Sequence, residues 1–284
     1  MISGMPRFAI AVRDFPSVVS VFRERLGMPV VDLSAESVGS LGAELAICVP
    51  EGGSNVEIMS PGNPEAPLSQ SIQRYLDRRG EGHFALMLEA ADPDLEAEGL
   101  LRRGLNVLPR MEGAGGRDVH PNSTHGVLIR VYPTDSFTGR DPDHLEGPNP
   151  PGLTGIERVL IAVRDLDRAV ACYGEKFALE VREPVEDRER GVRSAICTPP
   201  SGGAIELVAV RDPDRVFARS IERFLAATGE GAYALVLHSR DLQQTVEALA
   251  ARGVGVSGVE GLKGTLEIDR SVTSAARFWI ESST

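Results

Sequence analysis

Few side chains in this sequence have the type and spacing to do chemistry, and the most telling of them occur twice. Val56-Glu57-Ile58 returns as Ile205-Glu206-Leu207 at an offset of 149 residues, so a carboxylate sits in an apolar strand in both halves. Such a group can serve as a general base or hold a cation. His83 follows the Gly80-Glu81-Gly82 run, which recurs as Gly229-Glu230-Gly231 without the histidine. His120 and His125 flank a turn before an apolar strand, whereas His144 and His238 look incidental. Cys48, Cys172 and Cys197 are odd in number and lack C-x-x-C spacing, so they read as small buried apolar residues in a reducing compartment. No Ser-His-Asp arrangement, zinc-type cysteine pair or phosphate-binding loop stands out. Gly113, Gly115 and Gly116 form an irregular glycine cluster rather than a nucleotide motif.

The elements that must position these groups also come in pairs. Arg7 to Asp14 returns as Arg158 to Asp165, and Ala46-Ile47-Cys48 as Ala195-Ile196-Cys197. A near-constant offset over most of a domain marks a tandem duplication. A weaker repeat lies within each half, where Arg7 to Val12 resembles His83 to Leu88. Phe15, Val19, Phe22 and Leu26 have helical spacing, as do Leu166, Val170, Tyr173 and Phe177. A second helix is expected from about Asp92 to Arg103, ending at Gly104, with a counterpart ending at Gly253. Three strands should follow each helix: 30–33, 43–49 and 55–59 after the first, and 106–110, 117–120 and 127–132 after the second. Gly52-Gly53 and Gly202-Gly203 mark hairpin turns. The predicted fold is therefore α+β, with four βαβββ modules forming two tandem domains with cupped mixed sheets. The domains are expected at 1–137 and 155–284, joined by a Pro/Gly-rich linker at 138–154.

Bulk properties narrow the partners. The 284 residues are 42% hydrophobic and 25% charged, as expected of a soluble globular chain of two domains. The net charge of -11 argues against nucleic acid and anionic membrane surfaces. The N-terminus lacks a secretory leader pattern, which points to the cytoplasm. A small-molecule substrate and a monomer or homodimer are the expectation.

The strand-helix pattern, the repeated glutamate and the Gly-Glu-Gly-His run resemble the vicinal oxygen chelate superfamily of glyoxalases, bleomycin resistance proteins and dioxygenases. Ile10 to Asp14, Tyr75 to His83 and His120 to Ile129 most resemble methylmalonyl-CoA epimerase. The resemblance implies that each pair of modules curls around a divalent metal. Carried over by position, it assigns Arg7, Glu57, His83 and Arg130 to the first cup and Arg158, Glu206, Ala232 and Glu281 to the second. Guanidinium groups have only donors and cannot ligate a metal, and a catalytic divalent site usually needs three protein ligands. No cofactor is therefore expected. A divalent metal, if held at all, would rest on Glu57 and His83. The same count weighs against the 2-His-1-carboxylate iron site that extradiol dioxygenases would imply.

The expected function is a metal-independent isomerase/epimerase- or lyase-like reaction on a small carboxylated or CoA-linked substrate in the first cup. Glu57 and His83 would be the acid-base pair there. Arg7, Arg130 and His125 would bind substrate, with Arg158, Glu206 and Glu281 lining the second cup. Glu189 resembles a glutamate near the epimerase site. One alternative is a non-catalytic sequestering protein, although an aromatic content of 5% with a single tryptophan, Trp279, weighs mildly against an aromatic clamp. A metal-dependent glyoxalase-like lyase is the other alternative.

Overall fold

A computed structural model describes residues 1–111, 115–136 and 151–283. Gly113 and most of the expected linker, His144 included, lie outside the described residues. The chain forms two mixed α+β halves, each built on one continuous sheet. In the first half, β1 (Ile2–Ala11), β2 (Val30–Asp32), β3 (Ala43–Cys48), β4 (Asn55–Pro61), β5 (Gly82–Ala90), β6 (Arg117–Val119) and β7 (Leu128–Pro133) order as β2-β3-β4-β1-β5-β7-β6. In the second half, β8 (Leu153–Ala162), β9 (Glu180–Val181), β10 (Val185–Asp187), β11 (Val192–Thr198), β12 (Ala204–Val210), β13 (Gly231–Ser239), β14 (Val256–Gly258), β15 (Leu266–Ile268) and β16 (Phe278–Ser282) order as β10-β11-β12-β8-β13-β16-β15-β14, with β9 on β11. The two modules of each half join where their first strands pair antiparallel, β1 with β5 and β8 with β13.

The module helices are α1 (Phe15–Ser20), α4 (Pro93–Arg102), α5 (Leu166–Val170) and α7 (Leu242–Ala251). Each begins behind an aspartate, Asp14, Asp92, Asp165 or Asp241, whose side chain accepts the backbone N–H three residues on. Each such cap contributes about 1 kcal/mol and fixes where the strand turns into helix. α1 and α5 continue as single π-helical turns, Val21–Arg25 and Ala171–Lys176. The fourfold recurrence of the capping aspartate supports the four-module reading at a level the apolar pattern alone does not reach. One expected strand is absent: 106–110 makes only an isolated bridge, Val107 to Val119. Between β2 and β3 a further short helix, α2 (Ser34–Ser40), is inserted.

Two longer helices were not anticipated. α3 (Pro67–Arg79) and α6 (Val216–Thr228) connect the modules within each half and lie against one face of its sheet. Leu68, Ile72 and Leu76 pack on Ala9, Ala11, Met59 and Met87. Phe217, Ile221 and Leu225 pack on Leu160, Ala162, Val236 and Trp279. Side chains alternate across a strand, so this same face carries Arg7 and Arg158. It is called the cup face below. The opposite face carries Phe8, Ile10 and Val12, with Val159, Ile161 and Val163, and forms one core shared by both halves.

That shared core locks the halves together. Phe22 of the first half meets Phe278 of the second edge to face at 5.7 Å, and the Tyr173 hydroxyl donates to Thr124 O at 3.1 Å. Burying a ring of this size contributes about 2–3 kcal/mol. The glycine turns serve the junction too. Gly202 has φ +88 and forms a bridge with Met5. A Cβ there would lie 2.2 Å from the Met5 carbonyl oxygen, so only glycine allows this approach. No helix among the described residues is long and apolar enough to cross a membrane.

Candidate functional site: two cups with guanidinium groups at the metal positions

In the first cup, Arg7 on β1 donates from Nε to Glu57 Oε2 on β4 at 2.9 Å. Both side chains are buried. Across the sheet, Arg7 registers with Met87, Met87 with Arg130 and Arg130 with Asp118, a single row on the cup face. Arg130 grips Asp118 through two bonds, 2.7 Å from Nε and 3.1 Å from Nη2. The Tyr132 ring lies under the Arg7 guanidinium at 4.7 Å. Burial opposes the charge on Arg7, but Glu57, Tyr132 and Glu89 outweigh it and hold its pKa above the ordinary value. Burial likewise opposes the charge on Arg130, yet Tyr132, Asp118 and Glu57 push its pKa up. Burial raises the Glu89 carboxyl, and Arg7 pulls it back down.

His83 is not part of this cup. Its ring meets Phe8 edge to face at 5.7 Å, on the opposite face of the sheet from Arg7 and Glu57. The cause is a β-bulge: Ala9 pairs with Ala85, but Ile10 pairs with His83, which leaves Phe84 as an extra residue. The bulge turns the imidazole into the junction, where Nδ1 lies 3.2 Å from Ala232 O of the other half. Nε2 is buried with no hydrogen-bond partner, although the residue as a whole is part-exposed. Burial lowers its pKa to about 4. The acid-base pairing of Glu57 with His83 expected from sequence is thus not formed. His125 also lies at the junction, with Nδ1 3.0 Å from Glu230 Oε2, outside the first cup.

In the second cup, Arg158 Nε lies 2.8 Å from Glu206 Oε2, an ion pair whose geometry does not meet hydrogen-bond alignment. Its Nη2 donates to both oxygens of Glu281, at 3.1 and 3.0 Å. Arg190, just past β10, donates to Glu206 Oε1 at 2.8 Å and stacks over Phe217 at 4.8 Å. Thr265 donates to Glu281 Oε1 at 3.0 Å. A cavity of about 280 Å³ opens on this cluster, lined by Arg158, Arg190, Thr265, Trp279 and Glu281 among others. A second cavity, of about 330 Å³, also borders Trp279 and is lined by Arg219, Arg223, Tyr233 and Arg277 among others. Trp279 is buried, borders both, and its indole N–H has no acceptor among the described residues. Glu189 sits at the cavity rim, paired at 2.5 Å with exposed Lys263.

Strand register corrects one sequence-level equivalence. Arg130 was matched to Glu281. The strands place Arg130 against Met87 and Trp279 against Val236, the corresponding positions of the two halves. Trp279 therefore replaces Arg130, and Glu281 replaces Tyr132. Several participants escaped the sequence reading, among them Asp118, Tyr132, Arg190, Thr265 and Trp279's place in the cup. A constant offset of 149 through the last strands would have found the Trp279 correspondence.

A divalent metal, which the resemblance implies for each cup, does not fit these donor sets. In each cup a guanidinium already neutralises the glutamate, and it can only donate. Among the described residues no three His, Cys, Asp or Glu side chains converge as a metal cluster. Charge is balanced in the two cups. With Asp118 and Arg190 included, each holds two guanidiniums against two carboxylates.

Comparison with known proteins agrees with this architecture. A triple mutant of 4-hydroxymandelate synthase from Streptomyces coelicolor superposes with a TM-score of 0.67 at 15% identity, covering 99% of this chain and 92% of that one. A xylose isomerase-like TIM barrel/4-hydroxyphenylpyruvate dioxygenase fusion protein gives 0.65 at 12% identity, covering 99% of this chain and 49% of the other. Methylmalonyl-CoA epimerase from Mycobacterium tuberculosis is 23% identical over 50% of this chain, 94% of its own, with a TM-score of 0.40, too low to carry an argument. At these identities the likeness establishes the fold. No curated protein sequence matches the chain. The family description "Glyoxalase/Bleomycin resistance protein/Dioxygenase superfamily" matches residues 157–269. Within the second half, residues 157–269 match the model of this superfamily, and the first half repeats the same sheet order, so the two halves are copies of one fold.

Proposed function

We propose that the chain binds a small carboxylate-bearing molecule in the second cup, without a metal, as a sequestering or carrier member of its superfamily. The observation that carries this reading is Trp279. Its indole N–H is buried without an acceptor, a costly state that a ligand oxygen would relieve. It borders a cavity that also exposes Arg158 and Arg190, which can clamp a carboxylate. Trp279 borders both cavities and Tyr233 the second, with Phe217 and Phe224 packed against them. The cavities suit a small ligand or the acyl end of a larger one.

Turnover is less well supported. The cup carboxylates Glu57, Glu206 and Glu281 already engage guanidinium groups, so each would have to leave its partner before accepting a proton. One observation keeps the isomerase/epimerase- or lyase-like reading as a second possibility. Glu281 is part-exposed and lines the cavity, so a bound substrate could displace Arg158 from it. Titration of a panel of small carboxylates, followed by solvent deuterium incorporation into every binder, separates the two. Saturable binding without exchange, weakened at least tenfold in Arg190→Met, is expected. Exchange that disappears in Glu281→Gln would establish the enzyme instead, and absence of binding would end the ligand reading.

A further inference from the structure

The largest of the described cavities, about 690 Å³, lies outside both cups, in the groove between the halves. It is lined by Arg79 at the end of α3, by Arg164, Arg168 and Lys176 around α5, and by His125 and Glu230. The two acids of the groove are committed. Glu230 Oε1 accepts the Arg164 backbone N–H at 2.7 Å and its Oε2 meets His125 Nδ1 at 3.0 Å. Asp165 caps α5 by accepting the Arg168 backbone N–H at 3.1 Å. The cations are not committed in the same way. Arg79, Arg168 and Lys176 have no ion-pair partner among the described residues, and Arg164 spends Nη2 on Leu225 O at 2.7 Å. A cluster of unneutralised positive charge is conspicuous on a chain of net charge -11, because it costs self-repulsion and gains nothing without a counter-charge.

The duplication provides an internal control. Lys176 corresponds to Arg25 of the first half, and Arg168 to Ser17. Arg25 is consumed: its guanidinium donates to the carbonyls of Arg252 and Gly253. Arg79 corresponds in sequence to Thr228, which lines the same open groove. The two copies have thus diverged at this position, with Arg25 committed to backbone carbonyls and Lys176 left to line the open groove.

We infer that the open groove is a binding site for a small polyanion, the chemistry shared by a diphosphate and a polycarboxylate. It does not rest on the second-cup reading. Arg79 and Arg168 approach from different halves, so such a ligand would also bridge the junction.

Calorimetric titration of the full chain at low salt with pyrophosphate, and separately with citrate, tests this. At least one anion should bind, with affinity falling more than tenfold in the double variant Arg79→Glu/Arg168→Glu and with added salt. Both side chains are exposed, and Lys176→Met provides a second variant should the first misfold. Preference for pyrophosphate over citrate assigns a phosphoryl ligand, and the reverse a polycarboxylate. Trp279 emission should stay constant, because the groove lies outside the second cup. Failure of both anions to bind at millimolar concentration, equal affinity in the variants, or a Trp279 response would overturn the inference.

Discussion

Arg7 and Arg158 occupy the same strand position in the two cups and meet the same glutamate, Glu57 or Glu206. Their second contacts differ. Arg7 lies over the ring of Tyr132, whereas the equivalent place in the second cup is Glu281, which takes Arg158 outward toward a cavity. One residue further across the sheet, Arg130 is held by Asp118 with its Nη1 buried and unpartnered, while its counterpart Trp279 keeps a buried, unpartnered N–H and borders two cavities. Relative exposure follows this division: the Arg7 side chain is 7% exposed and that of Arg158 24%. The same duplicated scaffold has thus made one cup a closed ionic core and the other an open polar pocket. The lesson is that a charged pair at an ancestral site says little by itself. What surrounds its second contact decides whether it is structure or a site.

The sharpest way to break this comparison is to remove one arginine from each cup. Arg7→Met strands Glu57 in a buried setting and should cost about 3–5 kcal/mol in denaturant unfolding. The double variant Arg7→Met/Glu57→Met should recover most of that loss. Arg158→Met leaves Glu206 with Arg190 and should cost only about 1–2 kcal/mol, while weakening carboxylate binding at least tenfold. Equal stability losses in the two cups would erase the distinction.

A smaller effect should come from the junction. His83 has a folded pKa of about 4, below the ordinary value of 6.5, because burial disfavours its charge. Between these values the unfolded chain binds more protons, so stability rises with pH across that window and is lost as pH falls from about 6.5 toward 4. The loss is at most about 3 kcal/mol, reduced by the residue's partial exposure. His83→Gln should flatten this segment of the stability–pH profile. An unchanged profile would contradict the placement of His83 in the junction. The smallest effect is expected for Lys263→Gln at the exposed rim, where loss of the pair with Glu189 should leave unfolding midpoints unchanged within error.

Much of the scaffold was legible because its signals are local and repeated. Arg7 to Asp14 and Arg158 to Asp165 reveal the duplication directly, and Gly104 and Gly253 end α4 and α7 with φ +80 and +69. α3 was overlooked although Leu68, Ile72 and Leu76 stand at helical spacing, and with it went the lining of the cup face. The site was less legible for a geometric reason. A single bulged residue, Phe84, reverses the face on which His83 emerges, and nothing in the composition of that strand announces it. Arg190 was hidden for a different reason: it sits in a turn and reaches Glu206 by side-chain length rather than by register.

The central claim, that the second cup is the one that takes a ligand, has a built-in reporter in Trp279, the chain's single tryptophan. The most direct measurement follows one carboxylate titration by calorimetry and by Trp279 emission together. The account predicts one saturable process with the same dissociation constant in both signals, weakened at least tenfold in both in Arg158→Met. Heat of binding without any change in Trp279 emission would place the ligand elsewhere and contradict it.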